Sequence, residues 1–324
     1  MAAAARCKAC SQGLSLVELL VAIALGVVLS FGAMSLLLAS KRSYLEAEEL
    51  ARMQDNGRHA LRLLSFELNM AGYLATRVPG TAVDPVESGT ACFDYLMRTN
   101  PPLEHVNDVT SAGLSGGGQS LPADCLLPGR HVAGSDMLLI RRTLSLPTVD
   151  PGGQYAGIDP DAIYLRAGPR YEQVSLQRGG NGLTAEGELW EYVPQVLFLR
   201  NYSVTSGDGV PALCRKRLGR SANRMAPTEC LVEGVENLQV EFGIDEDGDQ
   251  LADRFESVPD PAQLRAAVAA RIYLLVRSVR PLGGYSDDRF YTLGNTRVRP
   301  PRDGYYRQLM QLTVGLHNRG GFRS

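Results

Sequence analysis

The sequence predicts an α+β fold: one long N-terminal helix, then a head built on antiparallel strands with long loops. Three observations point there. From Leu14 to Ser40 the chain is apolar, with Glu18 as its only charge. From 41 to 72 it contains no proline, and Leu50, Met53, Gly57, Leu61, Leu64, Leu68 and Ala71 recur at spacings of three and four, the period of a helix with one buried face. Beyond residue 135, short runs of alternating apolar and polar residues are separated by Gly, Pro and Asp clusters, as half-buried strands are by turns. A helix followed by a run of strands, without regular helix–strand alternation, is the α+β class.

The first half of the helix, 14–40, is apolar on every face and longer than the roughly 20 residues that cross a bilayer. It reads as a transmembrane or filament-core segment. Its one carboxylate, Glu18, is costly in hydrocarbon and is therefore a functional residue in need of a partner. A cut between Gly13 and Leu14 creates an ammonium close to Glu18. Within one chain the first helical turn intervenes, so the better partner is the amine of a neighbouring chain. Opposite charges in low dielectric hold each other ionised, and such a pair fixes register even where it adds little net stability. Arg6 and Lys8 precede the run and favour a cytoplasmic start. Two plainer readings compete: a signal peptide cut near Ala33-Met34-Ser35, and an uncleaved anchor. The apolar run is too long for a signal peptide and contains Glu18.

The second half, with its single apolar stripe, needs a domain to pack against. Glu48 and Arg52 stand four apart on the polar side, in the order that supports a helix, and Gly72 is placed to end it. One helix from Leu14 to Ala71 would be roughly 85 Å long, with Gly26 and Gly32 as points where it bends. Residues 73–135 are rich in Gly, Pro, Ser and Asp and read as long loops with a few short strands. Strands are predicted at Met137–Arg141, Ala162–Arg166, Leu189–Val193, Gln195–Asn201, Leu238–Ile244, Val268–Val279 and Gln308–Leu316. The organisation is then a leader over 1–13, the helix over 14–72 and a globular head over 73–324.

With 324 residues and 44% hydrophobic composition the chain can build a head with its own core. Net charge is −2, or −4 without Arg6 and Lys8. No basic patch marks the chain as a nucleic-acid binder. Cys7 and Cys10 form a C-x-x-C pair in the leader with no second pair of that spacing. Cys92, Cys125, Cys214 and Cys230 remain after the leader, an even count that reads as disulfides in an exported chain. Three pairings are open, and the expectation is the sequence neighbours, Cys92 with Cys125 and Cys214 with Cys230.

Gly13-Leu14-Ser15-Leu16-Val17-Glu18 followed by the apolar helix resembles the prepilin signature of type IV pilins and type II secretion pseudopilins. The resemblance implies that a prepilin peptidase cuts after Gly13 and methylates Leu14, and that Glu18 is the assembly carboxylate. The family's usual first residue is Phe, and here it is Leu14. Gln54-Asp55-Asn56-Gly57-Arg58-His59-Ala60-Leu61, Met70-Ala71-Gly72-Tyr73, Leu274-Leu275-Val276-Arg277-Ser278 and Leu312-Thr313-Val314-Gly315-Leu316-His317-Asn318-Arg319 narrow it to the PilW-type minor pilins. That implies a pilin-like fold and a non-enzymatic role in pilus assembly or priming. The chain would sit in the inner membrane with its head in the periplasm, then in the pilus at the cell surface. Implied partners are other minor and major pilins and a tip adhesin. The rival readings are a minor pseudopilin of a type II secretion system and a membrane-anchored periplasmic enzyme.

The enzyme reading rests on Gly113-Leu114-Ser115-Gly116-Gly117, a G-x-S-x-G match that has chemical meaning only between a strand and a helix. The four histidines, His59, His105, His131 and His317, show no metal-ligand spacing. Asp245–Glu256 is sharper. A twelve-residue calcium loop takes oxygens at positions 1, 3, 5, 7, 9 and 12, which here are Asp245, Asp247, Asp249, the Leu251 carbonyl, Asp253 and Glu256. Position 6, usually Gly in a left-handed conformation, is Gln250, at a cost of about 1–2 kcal/mol. The expected cofactor is Ca2+, with a solvated acidic turn as the alternative.

Overall fold

A computed structural model describes residues 15–74, 88–149, 157–167, 174–180, 187–220 and 223–318. Residues 1–14, with Cys7, Cys10, Gly13 and Leu14, lie outside the described residues. Helix α1 runs Leu16–Met70 without interruption, so neither Gly26 nor Gly32 breaks it. A Cβ at either glycine would meet nothing within 4 Å. The chain divides into two compact units between Glu49 and Leu50. That boundary falls inside α1 rather than at its end, because the segment from Leu50 onward is part of the head's core.

The head begins with α2 (Ala91–Met97), β1 (Leu103–Val106), the short β2 (Ser115–Gly116) and β3 (Gln119–Ser120), and β4 (Met137–Ile140). β5 (Ile163–Ala167), β6 (Val174–Arg178), β7 (Glu188–Glu191), β8 (Gln195–Arg200), β9 (Ala212–Arg217) and β10 (Glu229–Glu233) follow. β11 (Val235–Ile244), β12 (Arg254–Glu256), α3 (Pro261–Ala266), β13 (Ala267–Arg277), β14 (Tyr291–Leu293), β15 (Thr296–Val298) and β16 (Arg307–Gly315) complete it. The larger sheets run β1-β4-β8-β9-β10, β12-β11-β13-β16 and β6-β5-β7, antiparallel throughout.

The apolar stripe of α1 does what its period requires. Met53, Ala60, Leu64, Leu68 and Ala71 are buried against Leu238, Val240, Ile272, Leu274 and Val314 of the β11–β13–β16 sheet. Gly57 lets the helix come close: a Cβ there would collide with Met310 and stand 3.3 Å from Val276 Cγ1. The helix ends at Gly72, whose φ of +80° is open to glycine at little cost. Glu67 interrupts the stripe, yet it is buried because Arg142 grips it with two hydrogen bonds of 2.7 and 2.9 Å. Arg52 differs from the sequence reading: its recorded ion pair is with Glu233 on β10, not with Glu48.

β8 is buried on both faces. Leu197 and Leu199 join the cluster under α1, while Val196 and Phe198 face a second cluster containing Cys92, Leu96, Cys125 and Cys214. That is why Val196–Leu199 is an unbroken apolar run. The stretch 73–135, read as mostly loop, contains the helix α2. Thr90 caps it by accepting from Phe93 N, and Asp124 accepts from Cys92 N at 2.9 Å. Seven residues are too few for a periodic signal to stand out. α3 is likewise short and is made by its cap, where Asp260 and Gln263 form a reciprocal box with Pro261 at the first position.

Candidate functional site

Two features carry chemistry, the start of α1 and the acidic loop after β11. In α1, the fifteen large apolar side chains from Leu16 to Leu38 are all exposed, from 51% at Val21 to 78% at Phe31. At about 1.5–3 kcal/mol for each such side chain taken from water, on the order of 20 kcal/mol of burial is unrealised within this chain. The helix is long and apolar enough to cross a membrane by length and composition. Glu18 sits in its first turn. Its Oε2 accepts from Ser15 N at 2.9 Å, and Ser15 Oγ accepts from Glu18 N at 3.4 Å. This is a capping box. The S-x-x-E spacing of Ser15 and Glu18 signals it in the sequence, a local role that stands beside the amine partner expected for the carboxylate. In the single chain Glu18 satisfies a backbone donor of its own helix.

The acidic loop brings together part of the predicted ligand set. Asp245, Asp247 and Asp253 each offer a carboxylate oxygen within 4.8 Å of the others. Asp245 accepts from Gly248 N (2.6 Å) and Gln250 N (3.1 Å), and Asp253 accepts from Glu246 N (2.7 Å). Gln250 has φ +70°, the left-handed conformation that position 6 of such a loop demands. Asp249 turns its Oδ1 to Leu251 N at 2.7 Å. Glu256 lies on β12 opposite Phe242 and accepts from Arg254 at 2.7 Å. Asp249 and Glu256 are thus outside the three-carboxylate group, and the exposed Leu251 offers only its backbone. Asp245, Asp247 and Asp253 are the residues that could hold a hard cation here, three of the six to eight oxygen ligands that calcium takes.

The structure joins Cys92 to Cys125 and Cys214 to Cys230. The first bond ties α2 to the turn at Ala123–Cys125, and the second crosses β9 and β10 at directly paired positions. Ser115 lies in β2, paired with Ser120 in a two-residue hairpin, with none of the strand–turn–helix setting that a nucleophile elbow needs. A cavity of about 380 Å³ lined by Glu191, Tyr192, Arg217 and Arg224 does not include Ser115. His105 is buried and bonded to Asp136 at 2.8 Å, and His131 to the Thr110 carbonyl at 2.7 Å, both within the fold.

These features define a class: an α+β protein whose N-terminal helix presents an apolar surface that its own chain leaves uncovered, and whose head is antiparallel. Residues 201–318, from the end of β8 past β16, match the family model described as PilW, Type IV Pilus-assembly protein W. No curated protein matches the chain. Among solved structures, the type IV-like pilin TTHA1219 from Thermus thermophilus is similar over 82% of this chain and 96% of that one, at 14% identity and a TM-score of 0.37.

Proposed function

We propose that this protein is a minor pilin that takes part in assembling or priming a type IV pilus. The observation that carries the reading is the agreement of two separate parts of the chain. The prepilin-like stretch Gly13–Glu18 heads the exposed apolar helix, and the PilW match lies at the other end, over 201–318. The work is non-covalent. Prepilin peptidase removes residues 1–13 and methylates Leu14. The helix holds the chain in the inner membrane with the head in the periplasm, then packs among the helices of other minor and major pilins, with a tip adhesin as a further partner. On assembly Glu18 exchanges its contact with Ser15 N for the terminal amine of a neighbour, a charged partner in an apolar setting. Asp245, Asp247 and Asp253 hold a calcium ion that stiffens the loop between β11 and β12.

The experiment is deletion of the gene and recovery of the tagged chain from sheared pili. The expected result is a loss of surface pili that the wild-type gene restores, with a recovered chain whose mass begins at N-methylated Leu14. Normal piliation together with a block in protein secretion would favour the pseudopilin reading. A recovered chain still carrying residues 1–13 would contradict processing.

A further inference from the structure

The cavity where β7 meets the end of β9 plays no part in pilus assembly as proposed above. Its volume is about 380 Å³, within the range of small-molecule sites. One wall is the start of β5 with the end of β7 and the strap 192–194 that follows it, and the other is the turn after β9. That turn is held as a narrow hairpin. Leu218 pairs with Met225, Gly219 N donates to the Arg224 carbonyl at 2.7 Å, and Ala226 N donates to the Arg217 carbonyl at 2.9 Å. Arg178 on β6 fastens the two walls together. It donates to the Asp161 carbonyl at 2.8 Å on one side and to the Arg220 carbonyl at 3.3 Å on the other. The walls are thus fixed by the fold, and a ligand need not order them.

Ile163, Pro194, Leu218 and Met225 supply apolar lining, and Arg217, Arg220, Arg224, Asp161 and Glu191 supply charge. The charges decide what the cavity can hold. Arg217 is taken by Glu229 at 3.2 Å and Arg220 by Asp159. Arg224 and Asp161 are both exposed and offset each other in net charge. Glu191 remains. It stands half-buried beside the apolar lining. Burial pushes its carboxyl above the ordinary glutamate range, and the charge of Arg217 pulls it back only in part. The cavity thus holds a carboxylate that its own cations do not fully compensate, which makes it a poor host for an anion. A cation with donor hydrogens would return to Glu191 the stabilisation that burial removes, through a charge-assisted hydrogen bond. The neighbouring apolar wall suits a cation carried on an aliphatic stem.

We propose that this cavity binds a primary ammonium on a short aliphatic stem, with the ammonium on Glu191 and the stem along Ile163, Leu218 and Met225. That chemistry belongs to a free alkylamine and to a lysine side chain of another protein alike. The site stands on the cavity and its charges, and does not depend on the assembly reading.

The test uses the full chain in non-ionic detergent and ligand-observed saturation-transfer NMR, titrating n-butylammonium, n-butanol and Nα-acetyl-lysine N-methylamide. The expected result is saturable binding of n-butylammonium. The butanol has the same stem without the charge, and should bind at least about tenfold more weakly, equivalent to roughly 1.4 kcal/mol. Glu191→Gln keeps the shape of the side chain and removes its charge. It should weaken n-butylammonium by the same factor and leave n-butanol unchanged. Its thermal melt should be no lower than the parent's, because a half-buried charge has been removed. Binding of the lysine amide as tightly as n-butylammonium supports the site with a lysine side chain as its ligand, and binding of n-butylammonium alone supports it with a free amine. No saturable binding of either amine, n-butanol binding as tightly as n-butylammonium, or amine binding unmoved by Glu191→Gln would overturn the proposal.

Discussion

The two halves of α1 have the same backbone and opposite fates. From Leu16 to Leu38 every large apolar side chain is exposed, whereas Met53, Leu64 and Leu68 are buried in the head. Helix formation does not separate them, since the helix is continuous from Leu16 to Met70. Pattern does. The second half confines its apolar residues to one stripe and meets a sheet with a matching face. The first half is apolar all round, so no single face of one partner can cover it. A bilayer or a bundle of like helices can. The halves therefore differ in what covers them: one is buried in the head, and the other is left uncovered by its own chain.

Substitutions can break that division or sharpen it. The largest expected effect in the head comes from the Glu67–Arg142 pair. Glu67→Ala leaves a buried guanidinium unpaired and should cost about 3–5 kcal/mol, and Leu64→Ala should cost about 2–5 kcal/mol through its cavity. Leu25→Ala, in the exposed half, should leave the head's unfolding unchanged. Denaturant melts of the full chain in detergent, followed by the near-ultraviolet signal of Trp190, read all three. A Leu25→Ala loss as large as that of Leu64→Ala would erase the distinction between the halves.

The disulfides come next. Replacing the Cys92–Cys125 pair by serines should lower the head's stability by roughly 2–4 kcal/mol, because α2 is short and is held by that bond and by Asp124. The same melts measure it, and thiol labelling of all four cysteines in the unreduced, denatured chain would exclude both bonds. Calcium follows. At an ion concentration about a hundred times its dissociation constant, binding should add roughly 2.7 kcal/mol, and a chelator should remove it. Asp247→Ala should abolish the calcium-dependent gain and leave the metal-free melt unchanged. Identical melts with millimolar calcium and with chelator would reduce the loop to a solvated acidic turn.

Much of the fold was legible in the sequence, because a long helical stripe, alternating strands and short apolar runs bounded by turns declare themselves. The stripe from Leu50 to Ala71, the end at Gly72, and β4, β5, β7, β8, β11, β13 and β16 all rest on such patterns. α2 and α3 were not legible: they are one to two turns long and owe their form to caps and a disulfide. The burial of Glu67 was hidden as well, since nothing local connects it to Arg142, which follows β4 in the chain. At the start of α1, Glu18 stood out as a lone charge among apolar residues. Its bond with Ser15 was legible in the S-x-x-E spacing, but two roles for one carboxylate cannot be ranked from spacing alone. The acidic loop shows the same limit. Five carboxylates at ligand positions do not reveal that Asp249 and Glu256 turn elsewhere.

The central claim is that the exposed half of α1 is an assembly surface keyed by Glu18. The most direct measurement compares wild type with Glu18→Ala and Glu18→Gln, scoring membrane insertion, removal of residues 1–13 and abundance in sheared pili. Insertion and cleavage should be normal in both variants, since neither uses the carboxylate in this account. Incorporation should fall to background in both, because a neighbour's amine then meets no charge in an apolar setting. Wild-type levels of Glu18→Ala in sheared pili would show that Glu18 serves only as the cap of its own helix, and would contradict the account.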